Sequence, residues 1–370
     1  MQEVKELKVT KKFEHSDILL LFIASRIFFI VMMLASGRTF ADILGFFDAE
    51  HYIAIAKTGY TAKITTFFPV IPMIIRFTTQ VGLLVINNLC FLGSLYFLKK
   101  LNSNKIILAT FALSPMGFFS MLIYTESVFF FLSVLAFYMF MNNKNPLLMG
   151  IVIGLSVMTR SVGSMLFFAI FVGMCIQWLR HKIKISRIFI TYIPATALAL
   201  IYPVYLQLTY GNWKLFMDSQ FTDWYRESSN IFKTYFISLK MLFTNSYTFR
   251  PDGYVLVERI NEALSTILLT VLIVFVVRCV IRMIKARSVN EEELVMAIYV
   301  LLSAIAINGT IRNPNLDAPT DSFYRYYYTM FPLYLMLRRC KPVTTKVALG
   351  FTVSVSFLIS FVYCINVFFY

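Results

Sequence analysis

Asp48, Glu50 and His51 fall within a four-residue window of the segment FFDAEHYIAIAKTGY, residues 46–60. Two carboxylates beside an imidazole are the materials of proton transfer, and carboxylate oxygens also hold divalent metals. On a helix Asp48 and His51 share a face, so one can orient the other or both can meet one ligand. The same residues have a plain structural reading. Asp48 suits an N-cap, Glu50 the first helical turn, Lys57 the last turn and Gly59 the stop. Phe46, Phe47, Tyr52, Ile53, Ile55 and Ala56 would then lay the helix on a membrane surface, and the cap would contribute ~0.5–2 kcal/mol.

Four more charged residues lie where apolar stretches begin, end or turn. Arg76 closes FFPVIPMIIR, in which Pro69 and Pro72 start or break helices; it also suits a snorkelling side chain at the membrane edge. Glu126, in LIYTESVFFF, either caps a helix with Thr125 and Ser127 or carries function, since ionisable groups near hydrocarbon are usually paired or functional. Arg160, in SVMTRSVGSM, can satisfy open carbonyls at a helix break or clamp a phosphate with its planar fork. Arg325, in TDSFYRYYYTMFPLYLML, sits among tyrosines that suit an interfacial belt or a site for an anionic head group. Arg26 lies deep in an apolar run and must pair or reach water. Trp213, Phe216, Phe221, Trp224 and Tyr225, interleaved with Asp218, Gln220, Asp223 and Arg226, suit a sugar as well as a lipid head-group layer.

The elements that must position these residues are apolar. The chain has 370 residues, of which 59% are hydrophobic and 14% charged, with a mean hydropathy of +0.72. Apolar runs near bilayer length, continuous rather than alternating, predict spanning helices and argue against a barrel. We read an all-α polytopic membrane protein of one domain, 1–370, with about 10–11 crossings: 17–36, 80–98, 105–122, 124–141, 146–159, 163–179, 187–208, 262–277, 291–308, 324–337 and 346–369. The N-terminal charged segment followed by a full-length span predicts an anchor rather than a cleaved signal.

Basic residues cluster in alternate connections, at Lys5–Lys12, Lys99–Lys105, Lys144, Arg180–Arg187, Arg278–Arg287 and Arg338–Lys346. The positive-inside rule then sets the N-terminus in the cytosol. The net charge of +15 is thus a topology signal and gives no reason to invoke nucleic acid. In this orientation the long connections 37–79 and 209–261, with Asp48, Glu50, His51, Glu126, Arg160 and Arg325, fall on or near the outer face. None of the five cysteines forms a close pair with metal-ligand spacing, so neither a disulfide nor a zinc site is expected.

Five segments, in order, resemble one family. FFDAEHYIAIAKTGY is similar to the WDAxHYxxIAxxGY segment of GPI mannosyltransferase II-like (PIG-V-like) proteins. FFPVIPMIIR is similar to FFPLYPLLIR, and LSPMGFFSMLIYTESVFFFLS to SPAxxFxxxxYSESLFxxxS. TRSVG resembles TRSNG, and YRYYYTMFPLYL the late RYxxxxFPLY. Phe47 stands where the family has Trp, and Val162 where it has Asn, which bears on acceptor choice. The chain is shorter than eukaryotic members and suits a prokaryotic plasma membrane, so the GPI acceptor is not implied.

The resemblance implies a GT-C type integral membrane glycosyltransferase with short interfacial helices. It would move a sugar, mannose by family habit, from a polyprenyl-phosphate donor to a lipid or glycan acceptor on the extracytoplasmic face, with inversion. Asp48 would be the general base. Glu50, His51, Arg76, Glu126, Arg160 and Arg325 would contact substrate, with the arginines on the departing phosphate. No cofactor is implied, and such a donor does not demand a metal. Two other classes remain open: a transporter or flippase of a lipid-linked sugar, expected to show ionisable residues along a central path, and a non-catalytic scaffold for envelope synthesis.

Overall fold

A computed structural model describes residues 16–243, 252–312, 319–320 and 322–365. The expected inner-face residues Lys5, Lys8, Lys11 and Lys12 lie outside it, as does part of the connection 209–261. The described chain is a helical bundle. Its helices are α1 (Ser16–Ala35), α2 (Phe40–Ile43), α3 (Asp48–Thr58), α4 (Val70–Thr78), α5 (Gln80–Leu101), α6 (Lys105–Ala112), α7 (Pro115–Phe119), α8 (Glu126–Met141), α9 (Pro146–Thr159), α10 (Gly163–Leu179), α11 (Ile185–Tyr210), α12 (Leu215–Thr222), α13 (Ile231–Phe243), α14 (Asp252–Ala286), α15 (Glu291–Asn308), α16 (Phe323–Tyr328), α17 (Pro332–Leu335) and α18 (Pro342–Cys364). Two short strands, β1 (Arg226–Ser228) and β2 (Thr310–Arg312), pair antiparallel.

Among the described residues, five helices are long and apolar enough to cross a membrane: α1, α5, α11, α18 and the Arg259–Ala286 part of α14. This is the architecture of a helical membrane-spanning protein, as the apolar runs predict. The expected tally of crossings needs correction. The stretch 105–122 is two short helices, because Ser114 and Pro115 start a new helix after Ala112; the Ser114 hydroxyl accepts from the Met116 amide at 3.3 Å. The stretch 324–337 is likewise broken, with Pro332 at the start of α17. Helix α14 starts at Asp252 and extends well beyond the expected 262–277.

Helices α8, α9 and α10 are short, at 16, 14 and 17 residues. At 1.5 Å per residue a 14-residue helix covers only about 21 Å, against a hydrocarbon thickness of about 30 Å. Helix α8 is the buried one, whereas α9 and α10 each keep an outward face, with Leu147 and Phe168 exposed. Of α8, Phe129, Phe130, Val134, Ala136 and Phe137 are wholly buried. The longer α1, α5 and α11 turn many large apolar residues outward, among them Leu20, Val81 and Ile193. Apolar residues facing outward are stable only against an apolar surround, so this inversion of the usual pattern suits lipid contact.

The N-terminal end of α15 holds a second charged level. Glu291 receives Arg180 at 3.1 Å and Lys182 at 2.7 Å, Arg282 meets Glu293 at 3.4 Å, and Arg338 and Arg339 pair with Glu292 and Glu293. Three acids in a first helical turn also complement the helix dipole.

Helix α9 lies against α11 so closely that Gly150 has no room for a side chain. A Cβ there would stand 2.0 Å from the Thr191 carbonyl oxygen, which belongs to backbone and cannot swing aside. Gly150→Ala is therefore expected to destabilise the protein by about 1–3 kcal/mol through overpacking. The check is the thermal unfolding midpoint of the full chain in detergent, which should fall, whereas Gly350→Ala, in open space, should leave it near the wild-type value.

Candidate functional site

Four of the charged residues singled out in the sequence meet in one cluster. Glu126 opens α8, Arg160 follows the last residue of α9, Arg325 lies in α16 and Asp48 opens α3. Glu126 Oε1 accepts from Arg325 Nε at 3.1 Å and Nη2 at 2.8 Å, and pairs with Arg160 Nη1 at 2.9 Å. Arg325 Nη2 also donates to Asp48 Oδ2 at 2.8 Å. Arg160 Nη1 reaches the Thr125 hydroxyl at 3.0 Å. Glu126 is wholly buried and the Arg160 and Arg325 side chains nearly so, whereas the Asp48 side chain keeps 30% of its surface open.

Helix termini favour this arrangement. Asp48 and Glu126 each sit at a helix N-terminus, and Arg160 sits just past a C-terminus, so each charge opposes the local dipole. Aromatic faces cover the cations. The Arg160 guanidinium lies 4.3 Å from the Tyr326 ring centre, and that of Arg325 lies 4.7 Å from Tyr124 and 5.0 Å from Phe119. Such contacts replace part of the lost hydration.

The turn between α9 and α10 can bring Arg160 this close because residue 163 is glycine. A Cβ there would lie 2.3 Å from the Ser156 carbonyl oxygen. The turn before α8 is held by Asn87, whose side-chain amide donates to the Leu122 carbonyl at 2.8 Å and the Tyr124 carbonyl at 3.3 Å. Its own carbonyl accepts from the Ser127 hydroxyl at 2.5 Å. Helix α16 is fixed on both sides. Glu262, buried, accepts from the Thr320 amide at 2.8 Å, and the Tyr334 hydroxyl donates to the Tyr328 carbonyl at 3.0 Å. Tyr324, Tyr327 and Tyr328 are buried in the protein, so they form its core and not the interfacial belt that is one reading of the sequence.

The cap reading of Asp48 is also corrected. Helix α3 begins at Asp48, with Phe47 in the cap position at φ 63°, ψ −122° and no side-chain cap hydrogen bond. The Asp48 carboxylate turns to Arg325 instead, because a buried guanidinium offers a charged hydrogen bond that outcompetes a backbone amide. Positive φ at a phenylalanine stores roughly 1–3 kcal/mol of strain. Packing holds it there: the Phe47 ring meets Tyr363 edge-on at 5.3 Å, and Tyr124 donates to the Phe46 carbonyl at 3.3 Å. The apolar face of α3, with Ala49, Tyr52, Ile55 and Ala56, is buried against protein and does not lie on a membrane surface.

The other expected site residues lie apart from the ion pairs. His51 is held between aromatic rings, 4.7 Å from Phe67 and 5.3 Å from Trp224, and is not oriented by Asp48. Glu50 is exposed on the first turn of α3, and Arg76 is exposed on α4. Neither joins the cluster. Arg26 finds partners short of an acid: Asn88 Oδ1 at 3.0 Å, the Gly117 carbonyl at 3.0 Å and Ser25 Oγ at 3.2 Å, with its guanidinium 4.5 Å from the Phe91 ring centre.

Sequence reasoning missed Asn87, Tyr52 and Tyr326. The Asn87–Asn88 pair inside an apolar run was the available signal for the first. Tyr52 borders the cluster: burial, then the Asp48 carboxylate, holds its hydroxyl above the ordinary tyrosine range, against the pull of Arg160 and Arg325. In the sequence Tyr52 reads as part of a membrane-surface face, and only the fold places it inside, beside the cluster. Among the described residues no three His, Cys, Asp or Glu side chains converge as metal ligands. The arrangement offers two fixed guanidinium groups to an anion and one partly open carboxylate to a proton.

No protein-family model matches the chain, and no curated protein or solved structure matches it.

Breaking a buried pair strands the opposite charge. Glu126→Gln leaves two buried guanidinium groups short of an anion and is expected to lose about 3–5 kcal/mol of stability. Asp48→Asn, at the open edge of the cluster, should lose less. Unfolding midpoints of both variants in detergent test this ranking; a larger loss in Asp48→Asn would contradict it.

Proposed function

We propose that the chain is a GT-C type glycosyltransferase that moves a sugar from a polyprenyl-phosphate donor to a lipid or glycan acceptor on the extracytoplasmic face of a prokaryotic plasma membrane. The observation that carries this reading is convergence. Asp48, Glu126, Arg160 and Arg325 come from four separate segments that resemble the PIG-V-like family, and they form one ion-paired cluster. Mannose as the donor sugar rests on that resemblance alone.

The recessed position of the cluster supports a lipid-linked donor. It lies where the short helices α8, α9 and α10 begin or end, and a donor with an isoprenoid tail can present its phosphate there while the tail stays in lipid. The reaction needs one displacement. The acceptor oxygen attacks the anomeric carbon from the side opposite the phosphate and loses its proton to the Asp48 carboxylate. The bond from the anomeric carbon to the phosphate oxygen breaks, and the electron pair leaves with the phosphate. Arg160 and Arg325 stabilise the charge that grows on that oxygen. Glu126 is a positioning residue that holds both guanidinium groups from behind. His51, with Phe67 and Trp224 around it, flanks the approach of the acceptor hydroxyl.

A transporter would carry ionisable groups along a path. Here the core between the two charged levels is closely packed aromatic, with Phe111 and Phe130 stacked at 4.4 Å and Phe137 4.7 Å from Phe331. That favours chemistry at one level.

Purified full-length protein, given labelled polyprenyl-phosphate mannose and a panel of membrane glycolipid acceptors, should transfer the label. Asp48→Asn should slow transfer about 10²–10⁴-fold while remaining folded, as expected on loss of a general base. Full transfer by Asp48→Asn would overturn the assignment.

A further inference from the structure

The cluster contains a conflict when read as a catalytic site. A general base must be free to take a proton, and Asp48 is tied to Arg325 at 2.8 Å. A phosphate clamp must be free to take an anion, and the guanidinium nitrogen in question, Nη2 of Arg325, is the one that Asp48 occupies. Its Nε, and Nη2 a second time, are spent on Glu126. The two halves of the pair differ in mobility. Glu126 is wholly buried and engaged by both arginines, whereas the Asp48 side chain is 30% open and has Arg325 as its ion-pair partner. Among the described residues Nη1 carries no such partner, so an incoming anion that takes the Nη1–Nη2 edge of Arg325 as a fork displaces Asp48 and not Glu126.

We infer that Asp48 is a built-in competitor for the phosphate position, so that arrival of the donor phosphate on Arg325 releases the base. This rests on the proposed transfer reaction and adds an order of events to it. Without donor, Asp48 Oδ2 is occupied by the Arg325 guanidinium and is not offered to a hydroxyl, which keeps the site from activating water. With donor, the phosphate diester takes the Arg325 fork, and the freed Asp48 oxygen is available to the acceptor hydroxyl whose proton it takes. After transfer, the phosphate monoester leaves with more negative charge than it brought and would hold Arg325 tightly. Renewed competition from Asp48 helps to expel it. Glu126 keeps both arginines in register throughout.

The test is binding, with transfer read in parallel. The probe is farnesyl monophosphate, with farnesol as the tail-only control, titrated into the full-length protein in detergent micelles. Because a closed pair reduces apparent affinity by the fraction of sites that are open, removing the competitor should tighten monophosphate binding. Asp48→Asn is expected to bind farnesyl monophosphate about 10-fold or more tightly than wild type, the range that loss of a charged hydrogen bond supports. Glu50→Gln removes the same charge from the same helical turn without touching either arginine, and should stay within about twofold, because an exposed charge is strongly screened. Farnesol affinity should not respond to either change. Equal or weaker monophosphate binding in Asp48→Asn, or equal tightening in Glu50→Gln, overturns the competition.

A second measurement needs no variant. Carbodiimide labelling of the wild-type Asp48 carboxylate, followed by peptide mapping, should speed up at least threefold when farnesyl monophosphate saturates the protein. An unchanged or slower rate overturns the release. The two proposals fail separately: lost transfer in Asp48→Asn without tightened binding removes the competition and keeps the base, whereas tightened binding with transfer intact removes the base and keeps the competition.

Discussion

Everything near the site depends on keeping two arginines in a nearly water-free place. A guanidinium cannot shed its charge, and taking it out of water costs several kcal/mol even after relaxation. Glu126 answers most of that cost by accepting from both arginines with one oxygen. Aromatic faces supply part of the remainder, from Tyr326 on Arg160 and from Tyr124 and Phe119 on Arg325. Helix ends do the rest, with the acids at N-termini and Arg160 past a C-terminus.

That one constraint explains several features of the surrounding chain. Helices α8 to α10 are short because their ends must meet at Glu126 and Arg160. Gly163 lets the connection turn without a clash, and Asn87 holds the opposite turn by its carbonyls. The stretch 323–339 breaks into short pieces, because Arg325 must face the cluster while Tyr327 and Tyr334 anchor the flanks; the Tyr327 hydroxyl accepts from Asn308 at 2.9 Å. A buried ion pair is weak as a source of stability, and a hydrophobic replacement often does as well. Its retention here accords with a use in recognition, which the proposed reaction supplies.

The charge cluster also divides the fold into levels. At one end lies the four-residue cluster, with Asp48 as its partly open carboxylate. At the other, Glu291, Glu292 and Glu293 collect basic side chains from three separate parts of the chain. Between them the packing is aromatic and aliphatic. In the second set the basic side chains are more exposed, so the pairs on Glu291 contribute little by themselves, while the buried Glu293 receives Arg282 and Arg339; together they tie the ends of α10, α14 and α15 to the 336–339 turn.

The sequence by itself determined the class of the fold and the identity of the charged residues. Long apolar runs have one solution in lipid, the helix, because the backbone has no other hydrogen-bond partners there. Polar residues stranded among them are few enough to name: Asp48, Glu126, Arg160 and Arg325 all stand out in the linear text. What it left undecided was partnership. Asp48 and Arg325 are 277 residues apart, and no local rule pairs them; by local rules Asp48 is a cap and Arg325 one member of a tyrosine belt. Only the tertiary structure turned one toward the other, placed the α16 tyrosines inside rather than at an interface, and left Arg76 and Glu50 facing out. The physical reason is that helix propensity and hydropathy act within a few residues, whereas the neutralisation of a buried charge is settled by whatever the whole fold brings within hydrogen-bonding distance.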